Sequence, residues 1–146
     1  MTLPSGVVTP RVGIDLVPLA RVAELLNPDT KEALHRMLSP GELAASRTPD
    51  GAADPESIAG RLAAKEAVFK VFSATGQTLP WLGIEILPGP GGRPDLRLSG
   101  RAAELAEQVG LGPIDVSISH SGGFAVAVAA AAVADPPVPA PAPRHP

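Results

Sequence analysis

The chain has 146 residues, 45% hydrophobic and only 3% aromatic, which suits one domain whose modest core is filled by Ala, Val, Leu and Ile. A net charge of −3 argues against a nucleic-acid binder held by bulk charge, and the absence of cysteine excludes disulfides and thiolate metal sites. No apolar run approaches the roughly 18 residues of a membrane span, and no basic stretch followed by an apolar one suggests a secretory signal, so the cytoplasm is the expected compartment.

Residues 1–10 read as a loose lead-in. Residues 11–17 read as a strand in which Val12, Ile14 and Leu16 alternate with Gly13, Asp15 and Val17. Asp15 then points off the face that Val12 and Ile14 bury, either as a solvent-facing strand-end acid or as a functional one. Pro18 opens a helix through about residue 26, with Leu19, Val22 and Leu26 inward and Arg21 on the outer side. Asn27 and Pro28 break it, and residues 30–38 can form another short helix. Ser39 and Glu42 match a capping box, with a brief helix running on to Ala45. Residues 48–54 form a loop by their proline, glycine and aspartates.

The next segment reads as the longest helix. Asp54 can cap it, Pro55 suits the first helical position, and Glu56 favours the positive end of the dipole. Ile58, Leu62, Phe69 and Phe72 recur at helical spacing as a buried stripe. Glu66 and Lys70 lie one turn apart and share a face with Ala59 and Ala63, whose small side chains leave room for a ligand or another backbone. The simpler reading is an exposed ion pair on that face.

Residues 82–88 have strand character, with Ile84 and Ile86 on one face, and residues 95–98 pair back through a turn at 89–94. Gly91 and Gly92 serve that turn or let a ligand approach the backbone closely. Ser99 caps a helix over residues 101–109, and Gly110 stops it. Residues 114–119 alternate cleanly, with Ile114, Val116 and Ile118 on one face and Asp115, Ser117 and Ser119 on the other. Residues 120–123 turn the chain and 124–133 return as a strand, which leaves His120 at a strand end beside glycines, as a surface histidine or within reach of a ligand. Residues 135–146 alternate proline with alanine and valine, an extended tail without packed structure.

Several separated segments share an order. They are Gly13 and Asp15 with Arg21 six residues on; Arg61, Ala63, Ala64, Lys65, Glu66, Ala67 and Lys70; Gly92 and Pro94; and Ser117, Ser119 and His120. In this order they resemble the 4′-phosphopantetheinyl transferases, and within them the short holo-acyl-carrier-protein synthase group. The resemblance covers residues 11–134, which delimits a transferase domain between the lead-in and the tail. It implies an α+β fold, a small antiparallel sheet packed with helices, assembled as a homotrimer with active sites between neighbouring subunits. It implies transfer of the phosphopantetheine arm of coenzyme A to a serine of an apo acyl carrier protein, without nucleic acid or membrane. Which carrier, of fatty-acid, polyketide or peptide synthesis, stays open.

The resemblance also implies roles. Asp15 and Glu66 match the metal carboxylates, with Mg²⁺ as the cofactor, since it prefers hard oxygen ligands. Lys70 matches the lysine near the pyrophosphate. Arg61, Gly92, Pro94, Ser119 and His120, with Lys70, match positions lining the coenzyme A site. Arg21 matches an arginine that meets the acidic carrier. Glu66, directly or through a water on the cation, is the candidate base. One departure is the stretch Gly51, Ala52, Ala53, Asp54, where many relatives place lysine and arginine near the nucleotide phosphates; Arg47 or Arg93 is the substitute, or the chain binds without transferring.

Overall fold

The structure is a computed structural model that describes residues 8–134 and 141–144. Its centre is helix α4 (Pro55–Val71), laid across one face of a three-stranded antiparallel sheet. The sheet holds β1 (Val8–Pro18), β5 (Phe124–Ala134) and β4 (Leu111–Ser121), in the order β1-β5-β4. A separate hairpin pairs β2 (Ile84–Pro88) with β3 (Pro94–Leu98). Short helices α1 (Leu19–Leu25), α2 (Glu32–Met37) and α3 (Pro40–Ala45) precede α4, and α5 (Gly100–Gln108) links the hairpin to β4. This is the expected α+β class with small antiparallel sheets. No helix among the described residues is long and apolar enough to cross a membrane.

α4 departs from the expected amphipathic stripe. Ile58, Leu62 and Phe72 are buried and Phe69 is half-buried, but so are Ala59, Ala63, Ala64, Ala67, Val68 and Val71, with Arg61 and Lys65 among them. A helix enclosed on most sides needs apolar or paired residues all round. Ala125, Ala127 and Ala129 of β5 are fully buried, so two small-residue surfaces let helix and sheet approach closely. Asp54 caps α4 as expected, its carboxylate accepting from the Glu56 and Ser57 amides at 3.1 and 3.5 Å.

β1 corrects two expectations. Val8–Pro10, read as lead-in, continue the strand, because the eleven residues of β5 offer partners as far as Val8↔Ala134. Pro10 is tolerated because β1 is an edge strand. The faces are also inverted. Val12, Ile14 and Leu16 are 67%, 58% and 52% exposed, whereas Gly13 and Val17 are buried and Asp15 faces α4. Alternation located the two faces; the helix chose the one bearing glycine.

Smaller differences have local causes. Residues 82 and 83 belong to a 3₁₀ turn ahead of β2. Ser99 stands at the N-cap of α5, but its side chain makes no capping hydrogen bond. Leu26 is the C-cap of α1 rather than part of it. The capping box of α3 forms in both directions, and Gly110 follows α5 at φ 69° as its stop requires. Residues 1–7, 135–140 and 145–146, which carry most of the expected lead-in and tail, lie outside the described residues.

Candidate active site

Gly13 builds the first half of the site. A Cβ there would lie 2.0 Å from the Ala67 carbonyl oxygen, so only glycine lets β1 press onto α4. That approach brings Asp15, two residues on, beside α4. Lys70 Nζ donates to the Ile14 carbonyl at 2.7 Å and pairs with Asp15 at 3.2 Å. Arg21 of α1 reaches across to pair with Glu66 at 3.5 Å. The expected intrahelical pair between Glu66 and Lys70 is therefore replaced by two pairs between elements.

The two carboxylates share one recess, their side chains 16% and 22% exposed. Asp15 Oδ2 is buried without a hydrogen-bond partner, a costly state for a carboxylate oxygen. The Glu66 carboxyl is pushed up to about 7, first by burial and then by the Asp15 carboxylate beside it, against the opposing pull of Arg21. An unpartnered oxygen beside a second, reluctantly ionised acid suits a small hard cation. Among the described residues no cluster of three or more His, Cys, Asp or Glu side chains exists to enclose a metal. Two carboxylates alone fit Mg²⁺, which keeps waters and takes further oxygens from a phosphorylated substrate.

The second half of the site lies further toward the start of α4. A cavity of about 580 Å³ opens between the hairpin, β4 and that end of the helix, lined by Arg61, Gly92, Arg93, Pro94, Ser117 and His120 among others. Gly60 makes room for it: a Cβ there would sit 3.0 Å from the Ile118 side chain and 3.3 Å from His120 Nε2. His120 Nε2 lies 2.8 Å from the Glu56 carbonyl, which can only accept, so that nitrogen carries the hydrogen. Four expected residues, Arg61, Gly92, Pro94 and His120, thus border one cavity. Ser119 does not border it and lies exposed on β4, and Asp15, Glu66 and Lys70 do not border it either.

Local sequence gives Glu42 only a capping role and sets Lys65 in the same motif as Lys70. Both side chains are fully buried and paired at 2.6 Å. The capping box marks Glu42, but nothing local marks that it faces α4. Arg61 also differs from a simple ligand contact, since its guanidinium donates to the Ile86 carbonyl at 2.9 Å and to Ser46 and Ser57 hydroxyls at 3.1 and 2.5 Å.

A family profile described as the 4′-phosphopantetheinyl transferase superfamily matches residues 11–129. This chain belongs to that superfamily. Among its relatives, the holo-[acyl-carrier-protein] synthase of Frankia alni is 38% identical over 114 residues, 78% of this chain and 89% of the relative. That of Moorella thermoacetica is 39% identical over 115 residues, covering 77% and 86%. The solved ACPS–CoA complex of Chronobacterium ammoniagenes superposes with a TM-score of 0.70 at 34% identity, over 84% of this chain and 96% of that one. The Helicobacter pylori holo-[acyl-carrier-protein] synthase in complex with coenzyme A gives 0.67 at 32% identity, over 85% and 99%.

Proposed function

We propose that this transferase is a holo-acyl-carrier-protein synthase, moving the 4′-phosphopantetheine arm of coenzyme A onto a serine of an apo acyl carrier protein. The observation that carries the reading is the meeting of Asp15 and Glu66, far apart in the chain, with one oxygen unpartnered and a cation on either side. In the reaction the serine oxygen bonds to the phosphorus bearing pantetheine, and the bond from that phosphorus to the bridging oxygen breaks. Adenosine 3′,5′-bisphosphate leaves with the electron pair. Asp15 and Glu66 would hold Mg²⁺, which supplies charge neutralisation on the diphosphate oxygens. Glu66 takes the serine proton directly or across a water. Lys70 swings from Ile14 and Asp15 to the phosphoryl oxygens, where negative charge gathers in the transition state.

Arg61, Gly92, Pro94 and His120 line the coenzyme A cavity, while Ser119 lies outside it. His120 spends its Nε2 hydrogen on Glu56, so it donates to a phosphate from Nδ1 only as an imidazolium. Arg93 borders the same cavity and is 79% exposed, which makes it the cation for the 3′-phosphate; Arg47 instead bonds the Gly51 carbonyl. Arg21, 41% exposed, receives the acidic carrier. Two features support a homotrimer with shared sites. The cavity and the carboxylate pair do not adjoin within one chain, and Val12, Ile14 and Leu16 pair with Ala130, Val128 and Val126 across one uncovered sheet face. The cytoplasm is the compartment of this reading.

Incubation with an apo carrier, coenzyme A and Mg²⁺ is expected to add one phosphopantetheine arm, read by mass spectrometry of the carrier. Chelation should stop the gain. No gain across fatty-acid, polyketide and peptide carriers would replace the transferase with a silent binder of carrier or coenzyme A.

A further inference from the structure

The hairpin that walls the cavity does not pair with the main sheet. β2 bonds β3 on one edge, and the other edge is held by charged side chains. Ile86 donates its amide to Glu42 Oε2 at 2.9 Å and offers its carbonyl to Arg61 Nε at 2.9 Å. The same Glu42 accepts Lys65 Nζ at 2.6 Å through Oε1, and Lys65 completes its three donors with the Met37 and Trp81 carbonyls, each at 2.8 Å. Burial pulls the Lys65 ammonium below its ordinary value, and Glu42 opposes that pull.

Stability alone does not explain such a pair. Replacing a buried ion pair by apolar side chains of similar volume is often neutral or stabilising. What the pair does here is geometric: it substitutes for a missing strand. Both backbone groups of Ile86 are fixed to α3 and α4, immediately before the Leu87 and Pro88 that border the cavity. Lys65 and Glu66 are consecutive on α4, so the clamp references the cavity wall to the helix that carries the carboxylate site.

We propose that Glu42, its buried charge balanced by Lys65, is a positioning residue that holds the β2–β3 wall in register with α4 and so sets the grip on coenzyme A without touching it. The proposal rests on the synthase reading of the cavity. Its test uses the full chain and coenzyme A binding by calorimetry, which needs no transfer. The pair Glu42→Leu with Lys65→Met removes both charges at similar volume and leaves the Ile86 amide without an acceptor. The pair Glu42→Gln with Lys65→Met removes the charges but keeps an acceptor. The first should weaken coenzyme A about tenfold, speed hydrogen exchange at the Ile86 amide, and raise KM with kcat little changed. The second should restore binding and protection. A folded leucine variant that binds coenzyme A as tightly as wild type would overturn the proposal, as would a loss confined to kcat. Should the leucine variant not fold, Glu42→Asp takes its place, since it keeps the charge beside Lys65 while drawing the carboxylate back from Ile86. Wild-type protein that fails to bind coenzyme A would sink the cavity reading and this proposal together; wild type that binds alongside an unaffected variant sinks the proposal alone.

Discussion

Glu66 is one carboxyl under three influences, and their balance can be measured. Burial and Asp15 hold its proton on to about pH 7, above the ordinary 4.5, while Arg21 pulls the other way. In that window the folded chain keeps a proton that the unfolded chain has released, so stability falls as pH rises through it and is level above it. In the presence of chelator the unfolding free energy should drop by roughly 2–3 kcal/mol across the window. Glu66→Gln should flatten that drop, read from urea midpoints at a series of pH values. The same substitution should reduce transfer by at least about a hundredfold while circular dichroism is unchanged, because a neutral amide neither holds a cation well nor takes a proton. Full activity in the variant would remove Glu66 from the chemistry.

At the scale of the element, the meeting of β1 and α4 depends on a missing side chain. Gly13 lies against the Ala67 carbonyl, and a methyl there has backbone in its path rather than a flexible side chain. Gly13→Ala should push β1 off the helix and cost about 1–3 kcal/mol of stability. Transfer should fall by more than that loss of folded protein explains, because Asp15 and the Ile14 carbonyl both move away from Lys70. Comparing kcat per folded molecule with the urea midpoint separates the two effects. A variant with lowered stability but unchanged kcat would show that the strand can shift without disturbing the carboxylates.

At the scale of the whole molecule, the sheet has one face on α4 and one face bare. Val12, Ile14 and Leu16 stand more than half exposed on a surface continued by Val126 and Val128. A patch of branched aliphatics that size is normally covered in solution. If the proposed trimer forms through this face, Ile14→Glu should leave a monomer, read by sedimentation or light scattering, and should abolish transfer although Ile14 contributes only its carbonyl to the carboxylate site. An active monomer would refute the shared-site reading.

Periodicity and end signals in the sequence specified most of the elements. The Asp54 cap and Pro55 start, the Ser39 and Glu42 box, the alternation of residues 114–119 and the glycine after α5 are local chemistry that persists in the fold, whereas Ser99 keeps its N-cap position without the hydrogen bond. The ordered motifs likewise single out Asp15, Glu66 and Lys70. Tertiary structure alone decided which face of β1 turns inward, because alternation is symmetric until a helix covers one side. It alone separated Lys65 from Lys70, sending one to a buried clamp and the other to the carboxylates, since five residues along a helix point roughly 140° apart and only packing says what each direction meets. It alone gave Glu42 its second role, for a capping glutamate looks the same in sequence whether its outer oxygen faces water or the amide of Ile86.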